Sequence, residues 1–104
     1  MSSVLIIDDN PAVAIALDVL FSLHDIRTVH AESPEAGLAA LESGEIDLVI
    51  QDMNFRADTT SGDEGTALFA QIHARHPQLP VVLLTAWTHL ESAVELIKAG
   101  AADY

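Results

Sequence analysis

Ile46-Asp47-Leu48-Val49-Ile50-Gln51-Asp52-Met53-Asn54 is the stretch on which the fold turns. Leu48, Val49 and Ile50 form a short apolar run rich in β-branched residues. Such a run suits a strand buried on both faces, as in a parallel sheet. It stops at Asp52. In open α/β sheets, ligands gather outside the C-terminal ends of the strands. An acid placed there is a candidate functional group. For one aspartate taken alone, the simpler explanation is an acid that ends a strand in solvent, so its weight comes from the rest of the chain.

On the N-terminal side, Val4-Leu5-Ile6-Ile7 is a second buried-type run, and it too ends in acid, at Asp8-Asp9. Asn10 is a good helix cap and Pro11 suits a first turn. Val13, Leu17, Leu20 and Phe21 then recur at helical spacing. Ile26-Arg27-Thr28-Val29-His30 alternates, which predicts a strand nearer a sheet edge. Ser33-Pro34 repeats the cap-and-proline signal before a helix carrying Leu38 and Leu41, with Gly44 as its C-cap. On the C-terminal side, Met53 to Glu64 is a long polar segment, the kind of loop that is functional or mobile in a compact domain. Leu68, Phe69 and Ile72 mark a helix that ends before Pro77. Val81-Val82-Leu83-Leu84 is a third buried-type strand, closed by Thr85. Thr88 and Glu91 are spaced as a capping box, Val94 and Ile97 supply an apolar stripe, and Gly100 ends that helix. Ala101-Ala102-Asp103-Tyr104 is the approach to a fifth strand. The alternation predicts a doubly wound α/β parallel sheet.

The chain has 104 residues, half of them apolar, which suits one globular domain. Sixteen acidic residues against four basic ones give a formal charge of −12. That balance opposes direct nucleic-acid binding, which needs a basic face, and favours cations and basic partner surfaces. The chain has no cysteine, so disulfides, thiolate metal sites and thiol catalysis are excluded within it. No apolar run approaches the ~20 residues of a membrane span. Met1-Ser2-Ser3 lacks the basic opening of a secretory signal. The expectation is a cytoplasmic protein without membrane contact.

In such a sheet Asp8, Asp9, Asp52 and Thr85 all fall at one rim. If their strands are neighbours, three carboxylates and a hydroxyl converge. Carboxylates ~4 Å apart repel by roughly 1–4 kcal/mol, depending on the effective dielectric. Three of them call for a cation or a proton. An all-oxygen, partly water-filled site suits Mg²⁺ or Mn²⁺. An ion held there has positions open for phosphate oxygens, and a free oxygen of Asp52 can act as nucleophile.

With these motifs the chain resembles the receiver domain of two-component response regulators over its whole length. The motifs are Leu5-Ile6-Ile7-Asp8-Asp9, Asp47-Leu48-Val49-Ile50-Gln51-Asp52, Leu79-Pro80-Val81-Val82-Leu83-Leu84-Thr85-Ala86 and Gly100-Ala101-Ala102-Asp103-Tyr104. The resemblance implies a flavodoxin-like sheet with strand order 2-1-3-4-5. It implies that Asp52 accepts a phosphoryl group from a sensor histidine kinase or a phosphotransfer protein. Asp9 would ligate Mg²⁺ directly, Asp8 through a bound water, and Asn54 through its main-chain carbonyl. Thr85 would hold a phosphoryl oxygen, and Tyr104 stands at the family's switch aromatic. The Arg75-His76-Pro77-x-Leu79-Pro80-Val81 stretch looks most like receivers of sigma-54-dependent transcription activators. Dimerisation follows from the resemblance alone.

Three departures stand out. The family's lysine after the switch aromatic falls past Tyr104, and Lys98, on a predicted helix, does not match it. The chain thus reads as a receiver truncated before the end of the fifth strand. The segment after Asp52 is longer than the family's usual loop, with Phe55-Arg56-Ala57 where a proline often stands. Trp87, two residues past Thr85, lies where the family flanks the path of attacking water, so it is a candidate shield for an acyl phosphate.

Other chemistries fit less well. A haloacid-dehalogenase-like phosphohydrolase wants Asp-x-Asp after the first strand, where this chain has Asp8-Asp9-Asn10. A Toprim-like nuclease wants Asp-x-Asp where Asp52-Met53-Asn54 stands. A flavin phosphate is disfavoured by an acidic first loop. A phosphorylation-independent docking domain is the remaining alternative, opposed by the intact Asp8, Asp9, Asp52 and Thr85. His73 and His76 are one helical turn apart, but a Zn²⁺ site there lacks identifiable further ligands.

Overall fold

Side chains alternate across parallel strands, and here the alternation divides the core into two layers. The computed structural model describes residues 2–52, 63–84 and 98–100. Its elements are β1 (Ser3–Ile7), α1 (Pro11–Ser22), β2 (Arg27–Ala31), α2 (Pro34–Ser43), β3 (Leu48–Asp52), α3 (Asp63–Arg75) and β4 (Val81–Leu84). All strand pairs are parallel, in the order β2-β1-β3-β4. The flavodoxin-like order expected from the sequence holds for these four strands. The expected fifth strand (101–104), and the expected helix before it up to Ile97, lie outside the described residues.

One core layer joins Leu5 and Ile7 of β1, Val49 of β3 and Val81 and Leu83 of β4 to Leu41 of α2 and Leu68, Phe69 and Ile72 of α3. The other joins Val4, Ile6 and Ile50, with Leu17 and Phe21 of α1 packed against them. Helices therefore cover both faces, and every residue of β1 is buried. β2 lies at the edge of the sheet, as its alternating pattern predicts. Leu20, expected on the inward stripe of α1, is instead half exposed, beside the exposed Ile15, Val19 and Leu23. The buried stripe of this helix is carried by Ala14, with Leu17 and Phe21 packed on the core.

The caps form as predicted. The Asn10 side chain accepts the Ala12 N–H at 3.0 Å, and Ser33 Oγ accepts the Ala36 N–H at 3.1 Å, with Pro11 and Pro34 opening the helices. Each such cap is worth about 1 kcal/mol. Gly44 does follow α2, but in extended backbone (φ −136°, ψ 168°), not in a left-handed cap. Any residue adopts that conformation, so the stop of α2 does not rest on glycine. Left-handed backbone occurs at Asp25 (φ 58°), in the turn between α1 and β2. Aspartate is among the few non-glycine residues that tolerate it. There the Phe21 carbonyl accepts both the His24 and the Ile26 N–H, which closes the end of α1.

Candidate metal centre

The register of the sheet sets the site. Ile7 of β1 pairs with Gln51 of β3. The next step along each strand is Asp8 and Asp52, so the two carboxylates meet at the same rim. Asp9 follows Asp8 before α1 begins. Ligand oxygens of Asp8, Asp9 and Asp52 lie within 4.8 Å of one another. Among the described residues, this is the one group of three or more such side chains close enough to hold an ion. Asp8 is buried, while Asp9 and Asp52 are half-buried.

Asp8 is held from several sides. Its N–H donates to the Ala31 carbonyl at 3.0 Å, extending the β1–β2 ladder by one bond. Its main-chain carbonyl accepts from His30 Nε2 at 2.8 Å. Its Oδ1 accepts the Asn10 N–H at 2.8 Å. Burial pushes the Asp8 carboxyl above its ordinary range; the Asn10 bond pulls it down, the Asp9 charge pushes it up, and His30 pulls it down. The balance is upward, because one amide does not replace the water lost on burial.

Three carboxylates, one of them desolvated and repelled by its neighbour, make a site that gains from a bound cation. The donor set is all oxygen and partly open to solvent. It fits a hard divalent ion such as Mg²⁺, which keeps several of its waters. The open positions can take the oxygens of a phosphoryl group.

Asp8, Asp9 and Asp52 are thus brought together as the sequence predicts. Asn54, Thr85, Trp87 and Tyr104 lie outside the described residues, as does most of the long segment after Asp52. Leu84, the residue before Thr85, pairs with Asp52 across β3 and β4. Lys98 is exposed, just ahead of Gly100. His73 stacks on Phe69 with ring centroids 5.4 Å apart, and no acid joins it and His76 in a metal-binding group among the described residues.

Two residues near the site escaped the sequence reading. Gln51 is completely buried, and its Nε2 donates to the Gly65 carbonyl at 2.5 Å, tying β3 to the start of α3. A lone amide inside an apolar strand was the available signal. His30 reaches the Asp8 carbonyl from the neighbouring edge strand, and only the strand order reveals that contact.

A family model described as the response regulator receiver domain matches residues 4–104. This chain belongs to that family. As a receiver of two-component signalling, it is 37% identical over 103 residues to the response regulator protein FleR of Pseudomonas aeruginosa, covering 99% of this chain and 21% of FleR. It is 33% identical over 99 residues to the DNA-binding transcriptional regulator NtrC of Salmonella typhimurium, covering 95% of this chain and 20% of NtrC. The receiver therefore spans about a fifth of the length of these curated relatives. Among solved structures, a receiver domain protein from Clostridium thermocellum superposes with a TM-score of 0.88 at 25% identity, covering all of this chain and 80% of that one. The N-terminal receiver domain of a Bacteroides fragilis response regulator superposes at 0.85 with 32% identity, over 99% of this chain and 81% of that one. The response regulator TrrA of Thermotoga maritima, solved in complex with Mg²⁺-BeF, superposes at 0.82 with 27% identity, over all of this chain and 84% of that one.

Proposed function

We propose that this receiver accepts a phosphoryl group on a carboxylate oxygen of Asp52, in a reaction that depends on Mg²⁺ or Mn²⁺ held by Asp8, Asp9 and Asp52. The observation that carries the reading is the convergence of those three carboxylates within 4.8 Å at the rim of the sheet. The likeness to TrrA, solved with Mg²⁺-BeF, supports it. The bound ion supplies charge neutralisation for the incoming phosphoryl group. Asp52 provides the nucleophile: an oxygen–phosphorus bond forms as the phosphorus–nitrogen bond of a phosphohistidine donor breaks, and the imidazole leaves. Asp8 and Asp9 contribute negative charge and position, with the Asn54 carbonyl as a further ligand. Thr85 holds a phosphoryl oxygen, Tyr104 turns with it on activation, and Trp87 shields the acyl phosphate from water.

The donor in this reading is a sensor histidine kinase or a phosphotransfer protein, met in the cytoplasm. No helix of the described residues is long and apolar enough to cross a membrane. The domain acts as a switch without turnover of multiple substrates. Phosphorylation adds roughly 1.5–2 negative charges, enough to bias a two-state element. Residues 1–104 serve as the receiver of a longer regulator, and the output is transcription, of the sigma-54-dependent type that the sequence resembles. NtrC, one of its relatives, is named a DNA-binding transcriptional regulator. The receiver itself, at −12, makes no nucleic-acid contact and switches the output through a homodimer.

The test is intact mass after incubating the full-length protein with Mg²⁺ and acetyl phosphate. The expected result is one added phosphoryl group, absent with EDTA and absent in Asp52→Asn. A folded protein that gains no adduct from acetyl phosphate or from a phosphorylated histidine donor overturns the reading in favour of a docking domain.

A further inference from the structure

The acidic pair Asp8-Asp9 has no helix or strand geometry of its own to hold it. Asp8 and Asp9 lie between the end of β1 and the start of α1. The Asp8 side chain takes the Asn10 N–H at 2.8 Å, and the Asp8 main chain is held by the last two residues of the edge strand. The Ala31 carbonyl takes the Asp8 N–H at 3.0 Å, and His30 Nε2 meets the Asp8 carbonyl at 2.8 Å. These two bonds grip the peptide planes on either side of Asp8. One is the plane that joins it to Ile7, and the other is the plane that leads into Asp9. The first is an ordinary ladder bond that any residue at position 31 supplies. The second needs a side-chain donor of the right length at position 30.

We propose that His30 is a positioning residue of the cation site: by donating Nε2–H to the Asp8 carbonyl, it fixes the peptide between Asp8 and Asp9 and so pre-sets both carboxylates for the ion. The inference rests on the phosphoacceptor reading above, since it concerns the same ion. The acceptor is a carbonyl, so the ring must carry its proton on Nε2. Both the neutral Nε2–H tautomer and the charged imidazolium meet that need. Groups that orient metal ligands without touching the metal commonly matter as much as this, since they remove conformations the ligands would otherwise have to give up on binding.

Two variants separate positioning from bulk. His30→Phe keeps a ring and removes the donor. His30→Gln places an amide N–H the same number of bonds from Cβ as Nε2. Mg²⁺ affinity is measured by calorimetry on the full-length protein, and melting temperature is measured in EDTA. The expected result is a Mg²⁺ dissociation constant raised about tenfold in His30→Phe and restored to within about twofold in His30→Gln. Phosphorylation by acetyl phosphate should slow in His30→Phe at low Mg²⁺ and recover at saturating Mg²⁺. A His30→Phe protein that binds Mg²⁺ like the wild type overturns the inference, as does a His30→Gln protein no better than His30→Phe. Equal losses of melting temperature in EDTA, with unchanged Mg²⁺ affinity, would make His30 a packing residue and also overturn it. A wild-type protein that takes up no Mg²⁺ fails at the earlier step and overturns the phosphoacceptor reading, and this inference with it.

Discussion

Asp47 and Ser3 exchange two hydrogen bonds at the end of the sheet opposite the acidic cluster: the Ser3 N–H donates to Asp47 Oδ2 at 2.8 Å, and the Asp47 N–H donates to the Ser3 carbonyl at 2.9 Å. The carboxylate thus satisfies the first N–H of β1, where the ladder with β3 has not yet begun. Asp47 itself is largely exposed, so water takes back part of the gain. Asp47→Ala should lower unfolding stability by about 1 kcal/mol, near the low end for a bond to a charged group. Urea denaturation measures it. Mg²⁺ affinity should not change, because the strand separates Asp47 from Asp52.

Gln51 makes the contact most sensitive to charge. Its amide donates to the Gly65 carbonyl inside the protein. Gln51→Glu replaces that donor by a buried carboxylate, which must lose its charge to keep the bond. We expect a loss of roughly 2–4 kcal/mol at pH 7, the cost of an unsatisfied buried group and more for a charged one. The new carboxyl has a raised folded pKa. Its destabilisation therefore grows as pH rises through that window and shrinks in acid. Denaturation curves at pH 5 and pH 7 test the sign.

Gly37 in α2 sets helix propensity against packing. A Cβ built on Gly37 would lie 2.6 Å from Ile7 Cδ1 and 2.9 Å from Ile7 Cγ1. Ile7 is fully buried, so neither atom has room to retreat. Alanine gains about 1 kcal/mol over glycine in a helix interior, whereas overpacking costs about 1–3 kcal/mol. Gly37→Ala should therefore destabilise on balance. Adding Ile7→Val, which removes Cδ1, should recover part of the loss. A melting temperature above wild type for Gly37→Ala alone would show that the layer yields more easily than this.

The Asp8 carboxyl makes its own pH signature. Its pKa is raised in the folded protein, chiefly by burial. Between the unfolded and folded pKa values the native state binds more protons, so stability falls as pH rises through that window and remains lower at neutral pH. In EDTA at pH 7, Asp8→Asn should melt higher than wild type. Relief of about 1 kcal/mol of like-charge repulsion corresponds to ~4–8 °C for a domain of this size. The advantage should fade toward pH 4 and reverse in excess Mg²⁺, which stabilises the wild type. Thermal melts at the two pH values, with and without Mg²⁺, read all three signs.

Much of this protein is written locally. The runs Val4–Ile7, Leu48–Ile50 and Val81–Leu84 declare buried strands, because a strand covered on both faces has no polar side to show. Asn10-Pro11 and Ser33-Pro34 declare helix starts, because their caps act within three residues of chain. The acids are legible for a related reason: Asp8 and Asp9 follow the Val4–Ile7 run at once, and Asp52 follows Leu48–Ile50 after the single residue Gln51. Where local signals were ambiguous, the reading slipped. Leu20 sits at an inward spacing on paper but is half exposed, because the orientation of α1 is set by Ala14, Leu17 and Phe21 against the sheet. Gly44 does cap the end of α2 as its position predicts, although the chain leaves the helix there in an extended conformation.

The sequence by itself determined the strand-and-helix alternation, the excess of acid, and an acid at the end of each of two buried strands. The tertiary structure decided that β1 lies between β2 and β3, with Ile7 level with Gln51. That register turns acids 44 residues apart in the chain into one cluster with oxygens within 4.8 Å. It also places His30 of the edge strand against the Asp8 carbonyl and Gln51 against Gly65. The physical reason is range. Propensity, capping and burial pattern act over a few residues, whereas the pairing of strands is chosen by the whole sheet and both of its packed faces at once.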